Sequence, residues 1–251
     1  MTPISLKVIL EKVALVTGAS RGIGAAIATR LAKDNFTILV NFVGNFNAAE
    51  KLVNQIEAAG GKAVTVQADV SDSNAVTRLF ESVEATFGGI DAVINSAGIM
   101  KLATLAESKE EDFDTMVAVN LKGTFNTMRE ASKRLRPGGR IINLSSSVVG
   151  LYMPTYSIYA ATKAAIEAMT QVMSKEMRGR NITVNAVAPG PTATELFLDG
   201  KTDEMVNSLA NLSPLERLGS PEDIANTVAF LAGEQGGWIN GQVIRVNGGI
   251  I

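Results

Sequence analysis

The chain has 251 residues, 46% of them hydrophobic and 19% charged, with a formal net charge of −2 and a sequence pI near 5.4; it is long enough to bury a sizeable core and has no general pull toward nucleic acid or anionic membrane. It contains no cysteine and no histidine, which excludes disulfides, thiolate nucleophiles, cysteine-ligated metal, Ser-His-Asp triads and H-E-x-x-H zinc sites. Acid–base chemistry is left to Tyr, Lys, Asp, Glu or water.

The chain begins "MTPISLKVILEKVALVTG", in which a proline and the charges of Lys7, Glu11 and Lys12 interrupt what a secretory h-region would need. No apolar run reaches the roughly 18 residues required to span a bilayer, so the expected location is the cytoplasm, with no membrane partner. Short β-branched runs then follow in order: "VALVTG" (13–18), "FTILVNF" (36–42), "KAVTVQADV" (62–70), "DAVINSAG" (91–98), "GRIINLSSS" (139–147), "NITVNAVAPG" (181–190) and "QVIRVNGG" (242–249). Most are apolar on both faces, as buried parallel strands are. Helix-like segments separate them. In 72–87, Val76, Leu79, Phe80, Val83 and Phe87 keep helical spacing until Gly88 and Gly89 stop it. "SPEDIANTVAFLA" offers Ser220 as N-cap, Pro221 at the first helical position and Asp223 three after the cap. This alternation predicts an α/β fold, a Rossmann-like doubly wound parallel sheet of about seven strands with helices on both faces. No linker divides the chain, so residues 1–251 read as one domain. The stretch 191–219 reads as irregular, a lid or binding loop.

"TGASRGIG" (17–24) sits between the first strand and the helix-like "AAIATRLAKD". Its glycines, Gly18, Gly22 and Gly24, permit a tight turn and close approach of backbone to a phosphate, and the helix N-terminus behind offers unpaired N–H groups to a pyrophosphate. Gly18, Ser20, Arg21, Gly22, Ile23 and Gly24 are therefore candidate cofactor contacts. An acidic residue ending the second strand would receive the ribose 2′-OH of NAD. Asn41 stands there instead, and Arg21 can supply charge to a 2′-phosphate, with Asn45 and Asn47 nearby. The pattern favours NADP(H).

Two further patterns carry chemistry. "YAATK" sets Tyr159 and Lys163 one helical turn apart with only small residues between. In "EEDFDTMVAVNLKGTF", positions 113, 116, 117, 120, 121 and 125 form a helical stripe that is apolar except at Asn120. A buried carboxamide must be hydrogen-bonded, and a structural asparagine satisfying a backbone group fits this pattern as well as a catalytic one.

With the glycine loop, Asp69-Val70, "NSAG" (95–98), "YAATK" and "PGPTAT" (189–194) in this order, the chain resembles the short-chain dehydrogenase/reductases from about residue 11 to the C-terminus, and among them the ketoacyl-carrier-protein-reductase-like carbonyl reductases. The resemblance implies that Tyr159 exchanges a proton with the substrate oxygen and that Lys163 favours the phenolate and holds the ribose hydroxyls. Asn120, with Gly123, would hold a proton-relaying water. Asp69 and Val70 would flank the adenine; Asn95, Ala97 and Gly98 would support the sheet and approach the cofactor; Pro189, Gly190, Thr192 and Thr194 would hold the nicotinamide carboxamide. The serine that bonds the substrate oxygen is Ser146 by its distance from Tyr159 and Ser147 by the following "VVG"; Ser146 is preferred.

The resulting expectation is an oxidoreductase that reduces a ketone to a secondary alcohol, or the reverse, with a small carbonyl or alcohol substrate and no nucleic-acid partner. Leu151, Met153, Leu196 and Phe197 suggest a partly apolar substrate; Thr155, Tyr156, Asp199 and Lys201 keep a sugar or polyol dehydrogenase open. A non-catalytic dinucleotide sensor is the alternative of another class. The resemblance also implies a homotetramer, and the nearly uncharged tail "GGWINGQVIRVNGGII" suits burial in a partner or a covered sheet edge.

Overall fold

A computed structural model describes residues 11–251; the reading of the N-terminal stretch falls largely on residues 1–10, outside them. Seven strands, β1 (Lys12–Val16), β2 (Phe36–Phe42), β3 (Lys62–Gln67), β4 (Ile90–Asn95), β5 (Leu135–Leu144), β6 (Thr183–Pro189) and β7 (Val243–Val246), form one sheet in the order β3-β2-β1-β4-β5-β6-β7. Every neighbouring pair is parallel. Each expected strand is present, although most stop two or three residues short of the apolar run, because the last residues turn into the loops over the sheet edge.

The two-faced burial of the strands follows from their alternation. Ala14 and Val16 of β1 point into one core with Ile38, Val40 and Ile142, while Val13 and Leu15 point into the other with Leu39, Val93 and Ile141. The first core is closed by α1 (Gly22–Lys33), α2 (Phe46–Ala58) and α10 (Pro221–Ala232), through Ile27, Leu31, Leu52, Ile56 and Val228. The second is closed by α3 (Ser73–Phe87), α5 (Gly123–Arg134) and α7 (Ser157–Glu176), through Phe80, Val83, Met128 and Met173. The helix ends match their signals. Gly88 ends α3 at φ 72°, and Ser220 and Asp223 make a reciprocal capping box at 3.2 and 2.7 Å.

Two segments depart from expectation. The stretch 191–219 is not structureless: it contains α8 (Glu195–Leu198) and α9 (Asp203–Ala210), capped by Thr194 and Thr202, and is anchored at its base by a bridge between Thr192 and Gly219. Its mixed apolar and charged pattern reflects short helices with one face on the protein. The stripe over 113–125 is also not continuous. Between α4 (Glu110–Met116) and α5, residues Val117–Lys122 form a π-helical turn. The wider turn breaks the 3.6-residue repeat, so Met116 and Asn120 are buried while Phe113 and Phe125 are 47% and 44% exposed.

The chain winds outward from β1 through β2 to β3, then returns to the other side of β1 as β4. The loops leaving β1 and β4 therefore diverge and open a crevice at the carboxyl ends of the strands, the position where open α/β sheets bind ligands. Among the described residues no helix is long and apolar enough to cross a membrane.

Candidate active site

A cleft of about 900 Å³ lies at that switch point. Its floor is the glycine loop. Gly18 adopts φ 62°, and a Cβ there would come within 2.8 Å of the Ala97 Cα; a Cβ on Gly24 would meet the Gly18 carbonyl oxygen at 2.6 Å. These contacts draw the loops after β1 and β4 together. Helix α1 begins at Gly22 with no side-chain cap and no acidic residue in its first turn, so its first N–H groups and its positive dipole end remain available to an anion. Ser20, Arg21, Gly22, Ile23 and Gly24 all line the cleft, and they fit a dinucleotide pyrophosphate.

Asn41, where a ribose-binding acid would stand, is 1% exposed. Its carboxamide accepts from Gly18 N at 3.3 Å and donates to the Val66 and Ala68 carbonyls at 3.2 and 3.0 Å, tying the glycine loop to the end of β3. A carboxamide here does not repel a 2′-phosphate as a carboxylate would. Arg21, Asn45 and Lys51 line this end of the cleft, a donor set that suits a 2′-phosphate. Lys51 has no motif to announce it; only the packing of α2 beside β2 brings it there. Asp69 and Val70 line the same end, Asp69 accepting from Ser71 N at 2.8 Å.

From β4, Ser96, Ala97 and Gly98 reach the cleft, but Asn95 does not. It is buried below, donating to Asn143 Oδ1 at 2.7 Å and accepting from Thr127 Oγ1 at 2.6 Å. Its carboxamide links β4, β5 and α5, so its bearing on a cofactor is through the sheet and not by contact. Asn120 is likewise fully buried and does not line the cleft. Its carboxamide accepts from Ile99 N at 2.8 Å and donates to Ile99 O at 2.9 Å, which is the backbone-satisfying geometry, held by the π turn. Gly98 packs directly against it and against Lys163; a Cβ on Gly98 would lie 3.4 Å from Asn120 Oδ1 and 3.7 Å from Lys163 Nζ.

Tyr159 and Lys163 project from the first turns of α7, with the Lys163 Nζ 5.6 Å from the Tyr159 ring centre. Lys163 is 5% exposed and donates to the Leu144 carbonyl at 2.8 Å; burial lowers its pKa to about 8. Burial pushes the Tyr159 phenol up to about 12, while a hydrogen bond with Ser146 opposes the shift. At neutral pH the phenol carries its proton and the amine is charged.

Ser145, Ser146 and Ser147 all line the cleft and differ in their neighbours. Ser147 is 2% exposed, donates to the Ala188 carbonyl at 3.2 Å and accepts from Asn247 Nδ2 at 3.0 Å. Ser145 is also engaged by the scaffold and donates to Glu167 at 2.5 Å. Ser146 lines the cleft together with Tyr159, and its Oγ has only a long scaffold contact among the described residues, accepting from Val148 N at 3.4 Å. From β6, Pro189, Gly190, Thr192 and Thr194 line the cleft; Thr192 Oγ1 donates to Gly190 O at 2.9 Å, and Thr194 Oγ1 accepts from Phe197 N at 3.2 Å as the cap of α8. Tyr156, named from the sequence, lines the cleft, as do Ile99, Met100, Val148 and Leu209, which were not. Those four lie in loops and short helices without periodicity, so the sequence carried little signal for them.

Residues 18–251 match a family described as enoyl-(acyl carrier protein) reductase. A short-chain type dehydrogenase/reductase of Picea abies is 44% identical over 248 residues, covering 95% of this chain and 92% of that protein. An NADPH-dependent aldehyde reductase-like chloroplastic protein of Arabidopsis thaliana is 44% identical over 254 residues, covering 96% and 94%. The crystal structure of the angucycline C-6 ketoreductase LanV with bound NADP superposes with a TM-score of 0.90 at 38% identity, covering 95% of each chain.

Proposed function

Because the chain belongs to the short-chain dehydrogenase/reductase family, we propose that it is an NADP(H)-dependent carbonyl reductase that converts a ketone or aldehyde to an alcohol, with Tyr159 as proton donor. The observation that carries this reading is the meeting of Ser146, Tyr159 and Lys163 at one wall of a cleft whose other end is a glycine loop and an uncapped helix N-terminus. When bound, the reduced nicotinamide supplies the hydride that goes to the carbonyl carbon. Ser146 donates to the carbonyl oxygen and fixes its position. Tyr159 passes its phenolic proton to that oxygen as negative charge develops on it, and is reprotonated from solvent. A phenol held in its protonated form at neutral pH suits the reductive direction. Lys163 positions the ribose hydroxyls and places positive charge beside the phenolate that forms. Asn120 acts from behind, fixing Ile99 and through it the loop after β4.

The preference for NADP(H) rests on Arg21, Asn45 and Lys51 together with the lack of an acid at the end of β2, and on the cofactors named for the Arabidopsis and LanV relatives. In this reading residues 1–251 are one dinucleotide-binding and catalytic domain, and the enzyme is a cytoplasmic homotetramer. The unpaired edge of β7 and the exposed Trp238, Phe125 and Val172 support assembly.

The test is fluorescence titration with NADPH and NADH, followed by NADPH oxidation against a carbonyl panel, for the wild type, Arg21→Ala and Tyr159→Phe. Tighter NADPH binding that Arg21→Ala weakens by about tenfold, with NADH little changed, supports the cofactor assignment. Turnover surviving in Tyr159→Phe refutes the mechanism.

A further inference from the structure

Three side chains on one face of α7 tie that helix to the end of β5. Lys163, Glu167 and Thr170 recur at helical spacing, and each meets a different residue of the segment 143–145. Lys163 donates to the Leu144 carbonyl at 2.8 Å, Ser145 Oγ donates to Glu167 at 2.5 Å, and Thr170 Oγ1 accepts from Asn143 Nδ2 at 2.8 Å. β5 ends at Leu144, so the chain leaves the sheet here for Ser146. The backbone bonds of this stretch run the other way, to β6: Ser145 N donates to Val187 O at 2.7 Å and Ser147 N to Pro189 O at 2.8 Å. They set Ser146 against the sheet. Its separation from α7, which carries Tyr159, is left to the side chains.

The three ties are not equivalent. Lys163 also supplies the charge that the cofactor ribose and the phenolate need, and Thr170 lies about three turns from Tyr159. Glu167 stands between them. It is half-buried, does not line the cleft and forms no ion pair among the described residues. A carboxylate taken out of water needs a donor, and the hydroxyl that supplies one belongs to the residue next to Ser146. Hydroxyl-to-carboxylate bonds of this length are among the stronger ones. On the other side Ser147 is held by Ala188 O and Asn247, so Ser146 is bracketed by two anchored hydroxyls while its own remains open to the cleft. We propose that Glu167 is a positioning residue: through Ser145 it fixes the separation between Ser146 at the strand end and Tyr159 on the helix, and it does so as a hydrogen-bond acceptor and not as a charge. The proposal rests on the reductase reading and adds to it a residue outside the cleft on which the rate depends.

The experiment measures kcat, NADPH affinity and urea stability for the wild type, Glu167→Ala, Glu167→Gln, Ser145→Ala and the variant carrying both alanines, using the member of the carbonyl panel that the wild type reduces fastest. Glu167→Ala should lower kcat by about tenfold and leave NADPH affinity within about twofold, because the strand end drifts from Tyr159 while the glycine loop is untouched. Glu167→Gln keeps an oxygen that accepts and should stay within about threefold of the wild type. The double variant should fall within about twofold of the slower single one, since both substitutions break the same bond. Urea unfolding and NADPH titration report that each variant is folded, and Ser145→Ala, which deletes a single oxygen, carries the comparison if Glu167→Ala does not fold. Unchanged kcat in Glu167→Ala or Ser145→Ala, even with lowered stability, overturns the proposal. So does a loss in Glu167→Gln as large as in Glu167→Ala, or losses that multiply to about a hundredfold in the double variant. A wild type that binds NADPH and reduces nothing in the panel refutes the reductase reading itself, and the positioning role falls with it.

Discussion

Replacing Lys163 with methionine removes a cation from a buried position. The ammonium is 5% exposed, its bond is to a neutral carbonyl, and burial lowers its pKa from 10.5 to about 8. Between those two values the folded protein binds fewer protons at this site than the unfolded chain, so stability rises as pH rises through the window. The full depression corresponds to about 3 kcal/mol of destabilisation at neutral pH, of which about 2 kcal/mol is recovered between about pH 7 and about pH 9.5. Lys163→Met has no such titration. It also leaves the Leu144 carbonyl unpaired, a loss of about 1–3 kcal/mol that is present at both pH values and cancels in the comparison. The stability of the variant relative to the wild type should therefore fall by about 2 kcal/mol from the lower pH to the higher. Urea unfolding at both pH values, with equal m-values, measures this directly. A relative stability that stays flat across the window would refute the claim that the folded protein holds this ammonium under a burial penalty.

Other outcomes follow from the same geometry. Tyr159→Phe should lower turnover by about a hundredfold to ten-thousandfold while leaving NADPH binding within about twofold, checked by single-turnover rates beside a titration. Ser146→Ala should reduce kcat by about a hundredfold, whereas Ser147→Ala should keep activity and lose about 1–2 kcal/mol of stability, because Ser147 is bonded to Ala188 and Asn247 and not to substrate. NADPH affinity should weaken as pH rises through about 8, where Lys163 loses its charge, and that inflection should be absent in Lys163→Met. Gly24→Ala places a methyl group 2.6 Å from the Gly18 carbonyl oxygen, and should abolish cofactor binding before it unfolds the protein, measured by titration and thermal melting together.

The seven strands, the helices between them and the glycine loop were legible in the sequence because each is encoded locally, by alternation, by helical spacing and by caps within a few residues. The π turn at Val117–Lys122 was not, since a single added residue per turn leaves composition unchanged and shows only as the exposure of Phe113 and Phe125. Asn120 stood out as a polar residue in an apolar stripe, but its partner, Ile99, lies 21 residues earlier and no pattern names it. Asn95 lies in a recognisable motif and yet faces away from the cleft, toward Asn143 and Thr127. The three adjacent serines were separated in the sequence only by spacing, which pointed to Ser146 counted from Tyr159 and to Ser147 counted from "VVG". What separates them is their partners: Ala188 and Asn247 engage Ser147, Glu167 engages Ser145, and Ser146 has only a 3.4 Å scaffold contact, from Val148 N, among the described residues. Local pattern thus determined the fold and the chemical inventory of the site. Which side chain of that inventory is spent on the scaffold and which remains free for a substrate depends on hydrogen-bond partners up to 100 residues away, and only the assembled sheet supplies them.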